Sequence, residues 1–352
     1  MAAKLLRLTV LYTAGSLCCL AASFNDAVKA WQGHDFPKAQ KILLPLAHLG
    51  HPGAQVLLAY MYDHAQGSPR DLTQALKWYK LAADQGEPEA QFCLGSIVYG
   101  GEEGIERNPE QAAGWFRAAA EQGHARAQFN LGLLHQRGDG APRDSVIALR
   151  WFTQAAEQGL AQAQTKVGLA YDQGNGTPEN AHEALRWYRK AADQGQLEAL
   201  CNLGVFYEHG RGLTRDLGEA RRLYESAAKA GLAAAQFNLG LLWQRGDFGV
   251  RDFKEALKWY KVAANQGLAQ AQCNLALLYQ NGWGTAVDLE QAARWYRLAA
   301  EQGLKEAINS LPVVLRMIAE RSDDQPRPTD RSAVRTAGAA VSSASQALSI
   351  AP

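Results

Sequence analysis

The stretch Ala-Gln-Phe-Asn-Leu-Gly-Leu-Leu at 127–134 returns unchanged at 235–242, and it is one part of a repeat that runs through most of the 352-residue chain. A pair of neighbouring residues, usually Trp followed by Tyr or Phe, marks the period. Successive pairs lie 36 residues apart, with one step of 37. The pairs are Trp78-Tyr79, Trp115-Phe116, Trp151-Phe152, Trp187-Tyr188, Leu223-Tyr224, Trp259-Tyr260 and Trp295-Tyr296. A fixed period of this length predicts a stacked array of one small supersecondary unit.

Each repeat is predicted to contain two helices. In the third copy, the apolar residues Ala127, Leu131 and Leu134 follow helical spacing. Gly138 supplies the left-handed backbone that ends this first helix. Asp144 then opens the second helix, because its side chain can accept hydrogen bonds from the free backbone N–H groups. An Asp or Asn holds this position in every copy: Asp71, Asn108, Asp144, Asn180, Asp216, Asp252 and Asp288. Neither helix can bury its apolar stripe alone, so the repeats must stack.

The repeat resembles the Sel-one-like repeat, a member of the tetratricopeptide superfamily, since it follows the pattern A-x-x-x-L-G-x-x-Y-x-x-G-x-G-x-x-x-D-x-x-x-A-x-x-W-Y-x-x-A-A-x-x-G. Seven copies are predicted: 51–86, 87–123, 124–159, 160–195, 196–231, 232–267 and 268–303. The resemblance implies an all-α fold, a right-handed α-solenoid or superhelix whose first helices line a concave surface. It also implies a protein or peptide partner, because members of this family mostly bind other proteins and organise complexes.

The start of the chain is typical of a signal peptide over 1–23. Lys4 and Arg7 precede a mostly apolar stretch, and small residues follow it. The stretch is too short for a membrane span, so we expect no integral span in the mature chain. Leu17 stands before Cys18, where a lipid-attachment signal requires a small residue, so we expect no lipid anchor. The protein is therefore predicted to be exported, either to the periplasm or out of the cell.

Two degenerate units are predicted to flank the repeats. Residues 24–50 keep parts of the pattern and are interpreted as an N-terminal capping repeat. Residues 304–321 begin like another first helix but reach Pro312 where the pattern should continue, so they are interpreted as a C-terminal capping helix. Residues 322–352 have no apolar period and are predicted to be a disordered tail.

Composition and motifs argue against nucleic-acid binding and catalysis. Lys and Arg total 36 and Asp and Glu total 35, so there is no net basic field to attract nucleic acid. Gly174-Asn175-Gly176 follows a predicted helix rather than a strand, which is not the setting of a phosphate loop. No histidine pair has the spacing of a zinc site, and no serine stands in a nucleophile elbow. We expect no cofactor, no metal and no enzymatic activity.

The first helices carry the predicted partner site, because the resemblance places them on the concave side. Their outward positions mix apolar and charged residues, a combination that suits a peptide or a partner helix. We expect Phe129 and Phe237 to act as apolar anchors across repeats three to six. Four charged residues would set the partner's orientation: Arg126, Arg137, Glu208 and Arg245. The alternative is an ordinary solvated surface with modest apolar content.

A row of asparagines stands one residue before the repeated Leu of the first helices: Asn130, Asn202, Asn238 and Asn274. In related tetratricopeptide arrays this asparagine can bond a peptide backbone. The second interpretation, which we favour, is a structural hydrogen bond between helices.

The sequence thus predicts an exported interaction scaffold or adaptor. A peptidoglycan- or glycan-binding protein of the cell envelope is the first alternative, and a hydrolase is the weaker one. Some cysteine-rich exported relatives have been linked to β-lactam or cell-wall binding through a regular pair of cysteines. Here Cys93, Cys201 and Cys273 stand singly, which removes the basis for transferring that activity.

Overall fold

The computed structural model describes residues 23–101, 104–247 and 249–323, and every regular element in these ranges is an α-helix. The described part of helix α1 is 23–32. The other helices are α2 Phe36–His48, α3 Pro52–Asp63, α4 Leu72–Asp84, α5 Pro88–Gly100, α6 Pro109–Glu121, α7 Ala125–Arg137, α8 Ser145–Glu157, α9 Ala161–Gln173, α10 Ala181–Asp193, α11 Leu197–His209, α12 Leu217–Lys229, α13 Ala233–Arg245, α14 Phe253–Asn265, α15 Ala269–Asn281, α16 Leu289–Glu301 and α17 Lys305–Asp323.

The helices pack in the order in which they follow along the chain. The chain divides into two compact units, and the division falls between Leu242 and Trp243. In the first unit, the first helix of a repeat packs on the second helix of the same repeat, as α7 does on α8. That second helix then packs on the first helix of the next repeat, as α8 does on α9. In the second unit, α14 to α17 pack on one another in the same sequential way. The prediction of an all-α solenoid is confirmed.

The predicted N-caps are confirmed at the start of every second helix. In the third repeat, the Asp144 side chain accepts hydrogen bonds from the backbone N–H groups of Val146 and Ile147 at 2.9 and 3.0 Å. The equivalent bonds in the other repeats are 2.9–3.1 Å long and use Asp71, Asn108, Asn180, Asp216, Asp252 and Asp288. Each capping side chain accepts hydrogen bonds from backbone N–H groups that would otherwise have no partner at the start of the helix.

The second residue of each aromatic pair lies at the centre of the core of its repeat. These rings are buried: Tyr79, Phe116, Phe152, Tyr188, Tyr224, Tyr260 and Tyr296. In the third repeat the ring of Phe152 lies directly on the backbone of α7. A Cβ added at Gly132 would stand 2.6 Å from that ring, closer than carbon atoms can approach. The small residue therefore permits the two helices to approach closely.

A glutamine ladder, which the sequence analysis missed, links successive repeats. In α7, the buried Gln128 donates from Nε2 to the carbonyl oxygen of Ala120 in the preceding repeat. Its Oε1 accepts a hydrogen bond from Gln158, the residue that directly follows α8. The same pair of bonds is formed around Gln55, Gln91, Gln164 and Gln272. Buried polar groups of this kind are stable only when they are hydrogen-bonded, so the ladder fixes the register between repeats.

The chain ends differ in detail from the sequence expectations. Helices α1 and α2 occupy the region predicted to be a degenerate repeat, and Trp31 of α1 donates from its indole nitrogen to Gln66, beyond the end of α3, at 2.6 Å. Helix α17 continues through Pro312 and ends at Asp323, two residues beyond the predicted boundary. The predicted signal peptide up to residue 22 and the predicted tail from residue 324 lie outside the described residues.

Candidate partner-binding face

The candidate site is the side of the array formed by the outward residues of the first helices, which we call the first-helix face. Arg126 and Phe129 stand one helical turn apart on α7. Phe129 is half-buried, and its ring packs on Phe152 with 5.7 Å between the centroids. Phe237 is also half-buried, on α13. Both predicted anchors therefore divide their surface between the core and the first-helix face.

Arg126 is held in place by a charged network at the start of α5 and α7. Its guanidinium contacts Glu89 at 2.5 Å and lies over the ring of Phe92, 4.6 Å from the centroid. His124 reaches the same carboxylate, with 2.9 Å between Nε2 and Oε2. These contacts, His124 first and Arg126 after it, lower the pKa of Glu89 below its usual range. The network orients Arg126 but also neutralises much of its charge.

The other two predicted arginines are exposed and make local contacts. Arg137 ends α7, and its Nη1 donates to the Tyr99 hydroxyl at 3.4 Å. Arg245 ends α13, and its Nε donates to Asp247 at 2.8 Å. Both guanidinium groups remain accessible to solvent, as an orienting role would require.

Glu208 does not take the surface position that the sequence analysis gave it. The residue is only 7% exposed, and its carboxylate accepts a hydrogen bond of 2.8 Å from the Tyr224 hydroxyl. The prediction that Glu208 orients a partner is therefore wrong. The equivalent residue of the third repeat, Gln136, is half-buried, and the ring 16 residues after it, Phe152, has no hydroxyl; in the fifth repeat the Tyr224 hydroxyl holds the Glu208 carboxylate in the core.

The asparagine row lies between repeats. Asn202 faces the Tyr188 hydroxyl and Asn274 faces the Tyr260 hydroxyl, each opposing the rise that burial causes in the tyrosine pKa. Asn238 donates from Nδ2 to the Cys201 sulfur at 3.5 Å. Asn130 holds the same position opposite Phe116, which has no hydroxyl. These contacts favour a structural hydrogen bond over peptide binding for this row.

A second row, missed at the sequence level, satisfies the tyrosine hydroxyls from the other side. Four of these hydroxyls donate to a side chain 16 residues earlier, on the first helix of the same repeat. The pairs are Tyr188 with Asp172, Tyr224 with Glu208, Tyr260 with Gln244 and Tyr296 with Gln280, at 2.5–3.4 Å. The varying acceptor, Asp, Glu or Gln, hides this row from a search for identical residues.

Two adjoining cavities lie at the N-terminal end of the first-helix face. One has a volume of about 340 Å³ and apolar walls that include Phe24, Trp31 and Val56. The other, about 250 Å³, is lined by Phe92, among other residues of repeats one to three. Both include Tyr60, which packs edge-on against Trp31 with 6.0 Å between the centroids. The cavities therefore lie N-terminal to the predicted anchors at Phe129 and Phe237.

In the described ranges, no group of three or more His, Cys, Asp or Glu residues could hold a metal ion. Nor does any helix of the described chain have the length and apolar character needed to cross a membrane. Burial raises the pKa of the Cys93, Cys201 and Cys273 thiols to about 11, 12 and 11, so all three stay protonated near neutral pH.

The fold and this face define an α-solenoid repeat protein, and the comparisons give the family. The Sel1 repeat family model matches seven successive segments: 52–87, 88–124, 125–160, 161–196, 197–232, 233–268 and 269–304. The chain belongs to the Sel1 repeat family, as the sequence pattern predicted. Proteins built from these repeats generally mediate protein–protein interactions, and the scaffold is typically non-enzymatic.

Two solved structures show the same fold at substantial sequence identity. One is a protective antigen present in uropathogenic Escherichia coli strains that displays an SLR fold, with 34% identity and a TM-score of 0.71. The match covers 85% of this chain and 65% of that protein, so this chain spans about two thirds of its relative's length. The other is a Sel1 repeat protein from Oxalobacter formigenes, with 30% identity, a TM-score of 0.63 and coverage of 85% and 90%. Comparison with curated proteins gave no match.

Proposed function

We propose that this protein is an exported scaffold that binds a peptide segment of a partner protein along its first-helix face, the concave side in the family's solenoid. The observation that carries the proposal is the pair of adjoining cavities that share Tyr60. Aromatic side chains set in such depressions are the residues that most often dominate binding energy. The aromatic walls of the two cavities, with Arg126 beside them, suit an extended peptide with alternating apolar and polar groups.

Export is the second part of the proposal. A positively charged start followed by a mostly apolar stretch supports it. The similarity to a protective antigen of uropathogenic Escherichia coli supports it as well. Fusion of residues 1–30 to a reporter enzyme that is active only outside the cytoplasm tests this part. A reporter that stays inactive, while the same reporter with a known leader is active, contradicts it.

Site-specific cross-linking tests the binding face. A photoreactive amino acid placed at Arg126, on the first-helix face, is expected to trap one polypeptide from a cell-envelope extract, which mass spectrometry then identifies. The matched control places the same group at Arg117, an exposed residue of the second helix α6. Equal trapping from both positions, or trapping from Arg117 alone, contradicts the proposal. Sedimentation of the protein with purified cell-wall sacculi would instead favour the glycan-binding alternative.

A further inference from the structure

Tyr79 breaks the rule that the other buried tyrosines follow. Tyr79 is 1% exposed, yet its hydroxyl has no hydrogen-bond partner among the described residues. The side chain 16 residues earlier is Asp63, which in this repeat binds Arg70 instead, with 3.0 Å between Oδ1 and Nη2. The position that holds Asn202 or Asn274 in later repeats is occupied by Cys93. Both of the usual partners are therefore lost at the same hydroxyl.

Tyr79, which carries the orphaned hydroxyl, is one of the residues that line the 250 Å³ cavity. Cys93 faces the hydroxyl without completing a hydrogen bond, and its sulfur is at best a weak acceptor and its S–H a weak donor. A buried hydroxyl without a partner costs about 1–3 kcal/mol of stability. Tyr60, Phe92 and Ile97 supply apolar walls around it. The cavity thus combines one buried donor with a mainly apolar lining, a combination typical of a pocket that recognises one polar group.

The surrounding charges restrict what can fill the cavity. Asp63 and Glu89 are the charged groups that act on the Tyr79 hydroxyl, and their negative field disfavours an anionic occupant. Each of these carboxylates is paired with an arginine that also lines the cavity, Arg70 or Arg126. The two guanidinium groups disfavour a cationic occupant. A neutral group that both accepts and donates hydrogen bonds remains.

We propose that this cavity binds the carboxamide side chain of a glutamine or asparagine in an extended peptide. The amide oxygen accepts the hydrogen bond of the Tyr79 hydroxyl, and the amide N–H group donates to the carboxylate of Asp63 or Glu89. Carboxylates can accept further hydrogen bonds while they hold an arginine. The aliphatic part of the side chain packs on Tyr60 and Phe92. The inference rests on the proposed function, since it names the side chain by which a partner peptide is recognised.

Four labelled peptides test the inference. They share the blocked sequence Ala-Leu-Xaa-Leu-Ala, where Xaa is Gln, Met, Glu or Lys, and their binding is measured by fluorescence anisotropy. The wild-type protein is expected to bind the Gln peptide roughly five- to tenfold more tightly than the others, the effect of one buried hydrogen bond. Tyr79→Phe removes the donor and keeps the ring, so the preference for Gln over Met is expected to disappear.

Two further variants separate recognition from folding. Tyr260→Phe removes a hydroxyl in a different repeat, one that donates to Gln244, and is expected to keep the preference. Cys93→Asn restores the partner found in later repeats and is expected to abolish the preference without lowering the melting temperature. A wild-type protein without a Gln preference, or a Tyr79→Phe variant that retains it, overturns the inference. Cross-links from Arg126 together with no Gln preference refute only the cavity's ligand, whereas a Gln preference with cross-links from Arg117 alone refutes the proposed binding face.

Discussion

The side-chain amide of Gln158 donates a hydrogen bond of 2.7 Å to Oε1 of Gln128, a residue 30 positions earlier in the chain. Gln128 in turn donates to the carbonyl oxygen of Ala120 at 3.1 Å. One buried side chain therefore joins the end of one repeat to both helices of the next. In the fifth repeat both members of this pair are replaced together, by Leu200 and Ala230. The joint replacement indicates that the two glutamines act as a unit.

Replacement of Gln128 by Leu tests this unit. The change leaves the Ala120 carbonyl and the Gln158 amide without their partner, and it is expected to cost about 1–3 kcal/mol in the free energy of unfolding. The additional change Gln158→Ala is expected to add little, because its partner is already gone. Urea unfolding of the two single variants and the double variant measures the coupling between them. Strictly additive losses would contradict the idea that the pair is one unit.

Close approach of helices gives a second prediction, with a control in the same chain. Gly132→Ala places a Cβ 2.6 Å from the Phe152 ring and is expected to destabilise the protein by about 1–3 kcal/mol. Gly114→Ala lies on the exposed side of α6 with no atom within 4 Å, and it is expected to stabilise by about 0.4–1 kcal/mol. Thermal unfolding of both variants checks the opposite signs. A similar shift for both would mean that helix propensity, and not packing, decides the effect at Gly132.

Much of the fold could be predicted from the sequence because it depends on local, repeated signals. Capping residues such as Asp144 and the ring of Phe152 recur at one spacing, so a single repeat suffices to read them. The sequence did not reveal the glutamine ladder, since an interior Gln looks like any polar surface residue until its partner is located. It also placed Glu208 on the surface, because helical spacing does not show that the Tyr224 hydroxyl binds it. Cys93 in place of the row's asparagine is visible in the sequence, but the loss of the second partner of Tyr79 is not, since it depends on the contact that Asp63 makes with Arg70.

Acid pH is expected to weaken the charged network around Glu89. The contacts with His124 and Arg126 hold the pKa of Glu89 below its usual value near 4.5. A carboxylate with a lowered folded-state pKa stabilises the protein above its unfolded pKa, and the contribution is lost as the pH falls through the folded value. Glu89→Gln should therefore lower the melting temperature at pH 6 and have a smaller effect at pH 3. Glu121→Gln, at an exposed residue of α6, serves as the control. An unchanged penalty at both pH values would contradict the prediction.

Trp187 is predicted to be one of the largest single contributors to stability. The side chain is 4% exposed, and Lys190 lies over its ring with 4.2 Å between Nζ and the centroid. Trp187→Ala leaves a large cavity and is expected to cost about 3–5 kcal/mol. Trp259 is only half-buried at the equivalent place, so Trp259→Ala is expected to cost less. Urea unfolding compares the two, and equal losses would show that burial of the ring does not set the cost.

The fifth repeat is predicted to open before its neighbours. Leu223 stands where other repeats place Trp, and Leu200 and Ala230 replace the two glutamines of the ladder. A repeat array opens locally where the interface between neighbours is weakest, and three losses coincide here. Hydrogen exchange is therefore expected to be faster over 204–231 than over 132–195.

Restoring the ladder provides the decisive variant for this last prediction. Leu200→Gln together with Ala230→Gln rebuilds the pair seen at Gln164 and Gln194, where the amides are 2.8 Å apart. The double variant is expected to slow exchange over 204–231 and leave 132–159 unchanged, because the new bonds lie within the fifth repeat and at its junction with the fourth. Each single change lacks its partner and is expected to give no such protection. Uniform exchange across both segments in the wild-type protein, or faster exchange in the double variant, would show that the fifth repeat is not a weak point.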